Sequence, residues 1–259
     1  MRGVFFQVAG FFLYASLMLS CAQAADPLPF KEGEKLTYEF HWGPIMVGRG
    51  TFEVTEIRKD GTCVFKVRVK SNDFISAIYP VEDVITSVFD SKKMRSVSFE
   101  QNRSEGDHHV WEETFYYYDS AWASTTSYTS GEAKWFTIPK DAVQDKLSTI
   151  YYMRCLDWKD RDTASVVLGN DKENYKVNMT KTEKEKIELD DFEPIPTFKI
   201  EPNTEYMSGF VKKGKMWVWV SDDAFRIPIR VVSKLSVGSV SAILIKVEGV
   251  EGWPYDPKD

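Results

Sequence analysis

A chain of 259 residues, 43% hydrophobic and 14% aromatic, is long enough to bury a sizeable core as one unit. Its formal charge of −6 speaks against a nucleic-acid partner, which calls for a basic face. Three histidines and three cysteines with no HxH, HExxH or CxxC spacing leave no recognisable metal site, and no cofactor motif is present.

Met1-Arg2-Gly3 precede a mostly apolar stretch from Val4 to Leu19, then Ser20-Cys21-Ala22-Gln23-Ala24-Ala25. A short basic start, an apolar core and a small-x-small site are the three parts of a secretory signal peptide. Residues 1–24 are therefore expected to be removed, leaving 25–259 as a single exported domain in the periplasm or outside the cell. Two alternatives stand beside this. The run approaches the length of about 20 residues that a membrane anchor needs, and Met18-Leu19-Ser20-Cys21 loosely resembles a lipobox that would place a lipid on Cys21. No second apolar run of spanning length follows, so the mature chain is not expected to cross a membrane.

The first element after the leader is Leu36 to Trp42. Leu36, Tyr38, Phe40 and Trp42 alternate with Thr37, Glu39 and His41, the period of a half-buried strand. Similar alternation marks Gly50 to Ile57, Cys63 to Ser71, Asp83 to Phe89, Met94 to Asn102, Val110 to Tyr118 and Trp122 to Tyr128. A short helical turn is expected from Asp73 to Tyr79, ended by Pro80. Leu147, Ile150, Tyr151 and Cys155 fall at helical spacing and predict one main helix over 142–156. Strands resume at Ala164 to Leu168, Asn174 to Lys181, Thr197 to Glu201, Lys215 to Ser221, Ile227 to Lys234 and Gly238 to Val247. Turns fall at Lys59-Asp60-Gly61, Gly169-Asn170-Asp171 and Lys212-Lys213-Gly214. The charged run Lys181 to Glu188 reads as a solvated hairpin or edge strand. About thirteen short strands with tight turns predict a mainly β fold, with curved antiparallel sheets forming a sandwich or a partly open barrel.

Catalytic chemistry has little to stand on. His108 and His109 are adjacent and point to opposite faces of a strand, and His41 lies on a polar face. No GxSxG elbow accompanies any serine, and Gly48-Arg49-Gly50 lacks the glycine and helix of a phosphate loop. Carboxylates pair in sequence at Glu112-Glu113, Asp190-Asp191 and Asp222-Asp223, but acid/base pairs are set by separation in space. A hydrolase acting on envelope polysaccharide or peptidoglycan, with Asp145, Asp222 or Asp223 as acid or base, is the enzymatic alternative. The eight tryptophans either fill a large β core or line an apolar cavity for a lipid or other amphiphile. Trp42, Tyr79, Trp217 and Trp219 are the candidate cavity residues. Cys63 and Cys155, the pair left once Cys21 is gone, are either separate buried thiols or a disulfide stabilising the fold by about 4 to 5 kcal/mol in the chain-entropy model.

Several segments combine into a family pattern. Gly33-Glu34-Lys35-Leu36-Thr37-Tyr38 is followed by Trp42-Gly43 and Val47-Gly48, and Ser71-Asn72-Asp73 leads through Tyr79-Pro80-Val81-Glu82-Asp83 to Phe89-Asp90. Asp145-Lys146-Leu147-Ser148 continues to Tyr151 and Arg154. Trp219-Val220-Ser221-Asp222-Asp223 continues to Arg226 and Pro228. Together these resemble the DUF3108 family of bacterial exported proteins of unknown function, over about residues 30–247. The resemblance implies an exported β-rich domain without established catalytic residues, and a non-enzymatic module binding an amphiphile or an envelope protein is the leading expectation. A structural or assembly module is a further alternative. Asp222, Asp223, Arg226 and Pro228 suit a tight turn, and Arg154 is expected to pair with Asp145 or Asp222, fixing the helix against the sheet.

Overall fold

The computed structural model describes residues 27–169, 174–206, 215–235 and 238–255. The expected signal peptide, Cys21, Asn170-Asp171 and Lys212-Lys213-Gly214 lie outside them. Within them, the runs rich in β-branched and aromatic residues form fourteen strands. The first eight are β1 (Lys35–Trp42), β2 (Ile45–Ile57), β3 (Thr62–Ser71), β4 (Val81–Asp90), β5 (Arg95–Glu105), β6 (His108–Tyr117), β7 (Trp122–Ser127) and β8 (Ala133–Thr137). The remaining six are β9 (Thr163–Leu168), β10 (Tyr175–Ile187), β11 (Ile195–Tyr206), β12 (Met216–Ser221), β13 (Pro228–Lys234) and β14 (Ser239–Glu248).

They make one antiparallel sheet, in the order β8 back to β1, then β14 back to β9. Two up-and-down meanders thus join where the first strand meets the last, and β8 and β9 are the free edges. The fold is mainly β, as expected, and the barrel is open. Strand β8 escapes the period-two pattern because it is a sheet edge exposed along most of its length. The charged run of β10 is edge-like, since β9 pairs only with Tyr175 to Thr180 and the residues beyond pair with β11 alone.

Two helices interrupt the strands. Helix α1 (Asp73–Ser76) is a single turn, capped by the Asn72 side chain, which accepts from Ile75 N at 2.8 Å. Helix α2 (Ser148–Cys155) is shorter than the expected 142–156, because the residues before it bond to strands instead. Ser96 N donates to Val143 O at 2.9 Å, Gln144 N to Val167 O at 2.8 Å, and Gly169 N to Gln144 O at 2.9 Å. Backbone groups satisfied by β5 and β9 are not available to a helix, so this segment runs extended across the seam of the sheet.

The interior is organised around α2. Tyr151 stacks on Phe65 with centroids 3.6 Å apart and meets Phe30 edge-on at 5.2 Å, joining a core that includes Val54, Phe89 and Phe99. Met153, on another side of the same helix, and Leu156, just past its end, pack with Trp158, Phe198 and Val220. A third core joins Leu36 and Tyr38 of β1 to Ile229 and Leu244.

Candidate functional site

The family-like motifs converge on the fastening of α2. Arg154 is 0% exposed, and its guanidinium donates to both oxygens of Glu34, at 2.5 and 2.9 Å. It also donates to Pro29 O at 2.9 Å and Phe225 O at 3.0 Å. Desolvation alone would lower the Arg154 pKa, but the charge and hydrogen bonds of Glu34 reverse it and hold the value above the ordinary one. The expected partners, Asp145 and Asp222, are therefore corrected to Glu34, which immediately precedes β1, far in sequence from the helix whose spacing gave no sign of it.

Asp145 works as an anchor at the helix entry. Its Oδ1 accepts from Leu147 N and Ser148 N, each at 2.8 Å, and its Oδ2 accepts from Ser87 Oγ at 2.6 Å and Ser96 Oγ at 2.8 Å. A carboxylate has about four lone-pair sites, and all are occupied. Burial raises its pKa, with the four donors opposing that shift.

The third anchor is the turn after β12. Asp223 Oδ1 accepts from Ser221 Oγ, Phe225 N and Arg226 N at 2.9 to 3.0 Å. This holds Arg226 at a φ of 48°, in the left-handed region that side chains rarely adopt. In that pose Arg226 Nη1 donates to Arg154 O at 3.0 Å, satisfying a carbonyl at the end of α2. Asp222 faces outward and pairs with Lys184 at 2.7 Å. Asp145, Asp222 and Asp223 thus do not open together onto one cleft. The Gly48-Arg49-Gly50 segment is likewise structural: a side chain at Gly48 would come within 2.4 Å of Lys70 O on the neighbouring strand.

Beside the fastened helix lies a chamber of about 970 Å³. Its deep end is formed by buried Leu36, Tyr38, Tyr151 and Arg154, and one wall by Thr149, Ile150 and Met153 of α2. The facing wall is the inner side of β10 to β14, with Val177, Met179, Ile200, Val218 and Val231. The exposed rim carries Lys146, Asn203, Lys234 and Leu235. Tyr38 donates to Pro228 O at 2.8 Å, whereas the buried Tyr151 hydroxyl has no hydrogen-bond partner among the described residues. A second, polar chamber of about 310 Å³ lies toward β5, β6 and β7, lined by Gln101, Arg103, Glu112, Thr114, Thr125 and Asp145 among others.

None of Trp42, Tyr79, Trp217 and Trp219 is among the residues lining either chamber. Trp42 is 54% exposed and Tyr79 48% exposed. Period two rightly places Trp217 and Trp219 on one face of β12, but it is the outer face. There Trp217 donates to Glu201 at 3.0 Å and Trp219 to Glu185, while Arg230 lies 5.5 Å from the Trp219 ring and Lys234 5.6 Å from that of Trp217. The inner face carries Met216 and Val218. Alternation shows which residues share a face, but which face turns inward is decided by the rest of the sheet. Cys63 and Cys155 are free thiols in the structure. Burial pushes them up to about 11 and about 12, values at which the reactive thiolate is scarce at neutral pH. Among the described residues no group of three or more His, Cys, Asp or Glu is placed to hold a metal, and no helix is long and apolar enough to cross a membrane.

An open antiparallel sheet wound around an anchored internal helix, with a ligand-sized chamber beside that helix, defines a barrel-like β protein. Among solved structures, the chain is similar to a beta-barrel-like protein of the domain of unknown function DUF1849 from Brucella abortus. That likeness has a TM-score of 0.57 and 8% sequence identity, over 87% of this chain and 98% of the other, and it concerns the fold alone. Residues 37–245 match the model of the family described as "Protein of unknown function (DUF3108)", and the chain belongs to that family. No curated protein matches it.

Proposed function

We propose that this is a non-enzymatic, exported module of the cell envelope whose large chamber holds an apolar or amphipathic ligand. The chamber carries the reading. At about 970 Å³ with apolar walls, it lies at the upper end of the size of small-molecule sites, and a protein interior is otherwise packed nearly without voids. The basic, apolar and small-residue segments at the N-terminus support export.

The test is native mass spectrometry of gently purified protein, with displacement of an environment-sensitive naphthylamine dye after delipidation. Adducts or saturable dye binding are expected, and Val218→Trp, which projects a bulky ring into the chamber, is expected to weaken both. A delipidated protein that binds no dye and carries no adduct would sink the reading.

A second reading, as an assembly module, is favoured by the outer face of β6 to β8. Trp111, Phe115, Tyr117, Trp122 and Trp135 are all substantially exposed there, more apolar surface than scattered single residues would give. Trp122→Ser combined with Trp135→Ser should leave dye binding intact and abolish a pull-down of envelope partners. Unchanged capture would remove this reading.

A further inference from the structure

The outer face of the sheet changes character along its width. On β1 to β3 the acidic side chains are matched: Glu39 pairs with Arg49 at 2.7 Å, and Glu53 with Arg68 at 3.3 Å and Lys35 at 3.5 Å. On β5 to β8 they are not. Glu100 and Glu113 stand directly opposite one another in the β5–β6 ladder, a placing of like charges that destabilises a sheet. The registers of β5 to β8 bring no lysine or arginine to that face.

The partners of the two carboxylates among the described residues are aromatic instead. Trp111 Nε1 donates to Glu100 at 2.9 Å, and the Tyr128 hydroxyl donates to Glu113 at 2.8 Å. The Trp111 and Tyr128 rings lie 4.6 Å apart, so two rings and two carboxylates form one assembly, set before anything binds. A carboxylate has about four acceptor sites, and each of these spends one on its ring donor. Farther along β6, Tyr117 stands opposite Trp122 and its ring stacks on Trp135 at 5.8 Å. All five rings are 43% exposed or more.

Unmatched negative charge set among electron-rich rings suits a cation, which is drawn to ring faces and bonds carboxylates strongly. The same charge opposes an anionic lipid surface or a nucleic acid. We infer that this face docks a partner protein through an extended segment carrying arginine or lysine, with aliphatic side chains following on the same side. The cation sits between Glu100 and Glu113 against Trp111 and Tyr128. Four strand residues, about 13 Å, separate Glu113 from Tyr117, so the aliphatic side chains of a segment laid along β6 reach Tyr117, Trp122 and Trp135. This rests on the reading of β6 to β8 as an assembly surface and adds the chemistry of the partner.

Fluorescence anisotropy with a labelled peptide, Arg-Thr-Leu-Thr-Leu-Thr-Leu, tests both levels separately, beside two relatives with glutamine or glutamate in place of the arginine. The arginine peptide is expected to bind about tenfold tighter than the glutamine peptide, the ratio of one charge-assisted hydrogen bond, and the glutamate peptide weakest. Glu100→Gln combined with Glu113→Gln keeps an acceptor for each ring and relieves the repulsion, so the fold is retained. It should remove the preference while leaving the affinity for the glutamine peptide unchanged. Glu39→Gln, on the matched face, should leave the preference intact. Equal binding of the three peptides would overturn the charge assignment while keeping the face as an assembly surface. An equal loss of preference in Glu39→Gln would also overturn it, tracing the effect to overall charge. Peptide binding unchanged by Trp122→Ser with Trp135→Ser would remove the assembly reading itself. Binding of cellohexaose but of no peptide would overturn both, making the face a sugar platform, and binding of no probe would overturn the inference outright.

Discussion

The two sides of α2 face the same kind of wall and end differently. Toward β3, Tyr151 lies flat on Phe65 and Phe30 closes the edge, a packed aromatic core. Toward β10 to β14, Met153 packs with Val177, Phe198 and Val220, whereas Thr149 and Ile150 border an open space of about 970 Å³ that Val218 and Val231 also line. Both walls are built from alternating strands, so the void does not come from a shortage of apolar residues. It comes from where a short helix is fastened: Arg154 to Glu34, Asp145 to Ser87 and Ser96, and Arg226, in the turn between β12 and β13, to the helix end. Polar anchors with fixed geometry hold the helix where Met153 meets the far wall and the space beside Thr149 and Ile150 stays unfilled.

The largest effect expected of breaking this arrangement is at Arg154. Arg154→Met leaves Glu34 buried without a counter-charge, which costs about 3–5 kcal/mol and is read as a lower urea midpoint. Adding Glu34→Leu should recover much of the loss. Equal midpoints for the single and double variants would mean that the pair is not what holds the helix.

Truncation on the two sides should then diverge. Tyr151→Ala removes a packed aromatic, at a cost of about 3–5 kcal/mol. Val218→Ala, whose side chain borders the chamber, should cost about 1 kcal/mol or less, since fewer packed neighbours are lost. Enlargement reverses the order: Val67→Phe overpacks the filled side by about 1–3 kcal/mol, whereas Val218→Phe is accommodated. Comparable losses for the two enlargements would show the chamber to be closed in solution.

The smallest effect is a pH dependence at Asp145. Burial raises its folded pKa above the unfolded value of about 3.9, so the folded state binds the proton more tightly. The stability this contributes is fully present below the unfolded pKa and is lost as pH rises through the folded one. The stability difference between the wild type and Asp145→Asn should therefore shrink with rising pH over that window, in urea titrations at several pH values. A difference that grows instead would mean that the four donors outweigh burial.

Much of the fold was legible in the sequence. Thirteen strand segments were marked by period two, and the helix by Leu147, Ile150 and Tyr151. What failed has identifiable causes. Strand β8 is exposed along most of its length, so no alternation marks it. Residues 142–147 carry helical spacing, but β5 and β9 take up their backbone groups. The chamber residues were less legible still. Met216 and Val218 alternate with the more conspicuous Trp217 and Trp219, and the choice of inner face depends on β11 and β13. Glu34 lay within a recognised motif, yet its bond to Arg154 spans most of the chain and no local rule foretells it.

The order of the strands has a consequence for how the chain is made. Every other ladder in the sheet joins strands consecutive in sequence, but β1 finds one of its two partners only in β14. Hairpins can form as they emerge, whereas this contact must wait for the last strand and close a loop of nearly the whole domain, the kind of step that slows folding. Throughout synthesis β1 therefore presents an unpaired strand edge, a template for mispairing with other chains. A newly made molecule needs that edge kept apart from its neighbours until its C-terminal strand arrives.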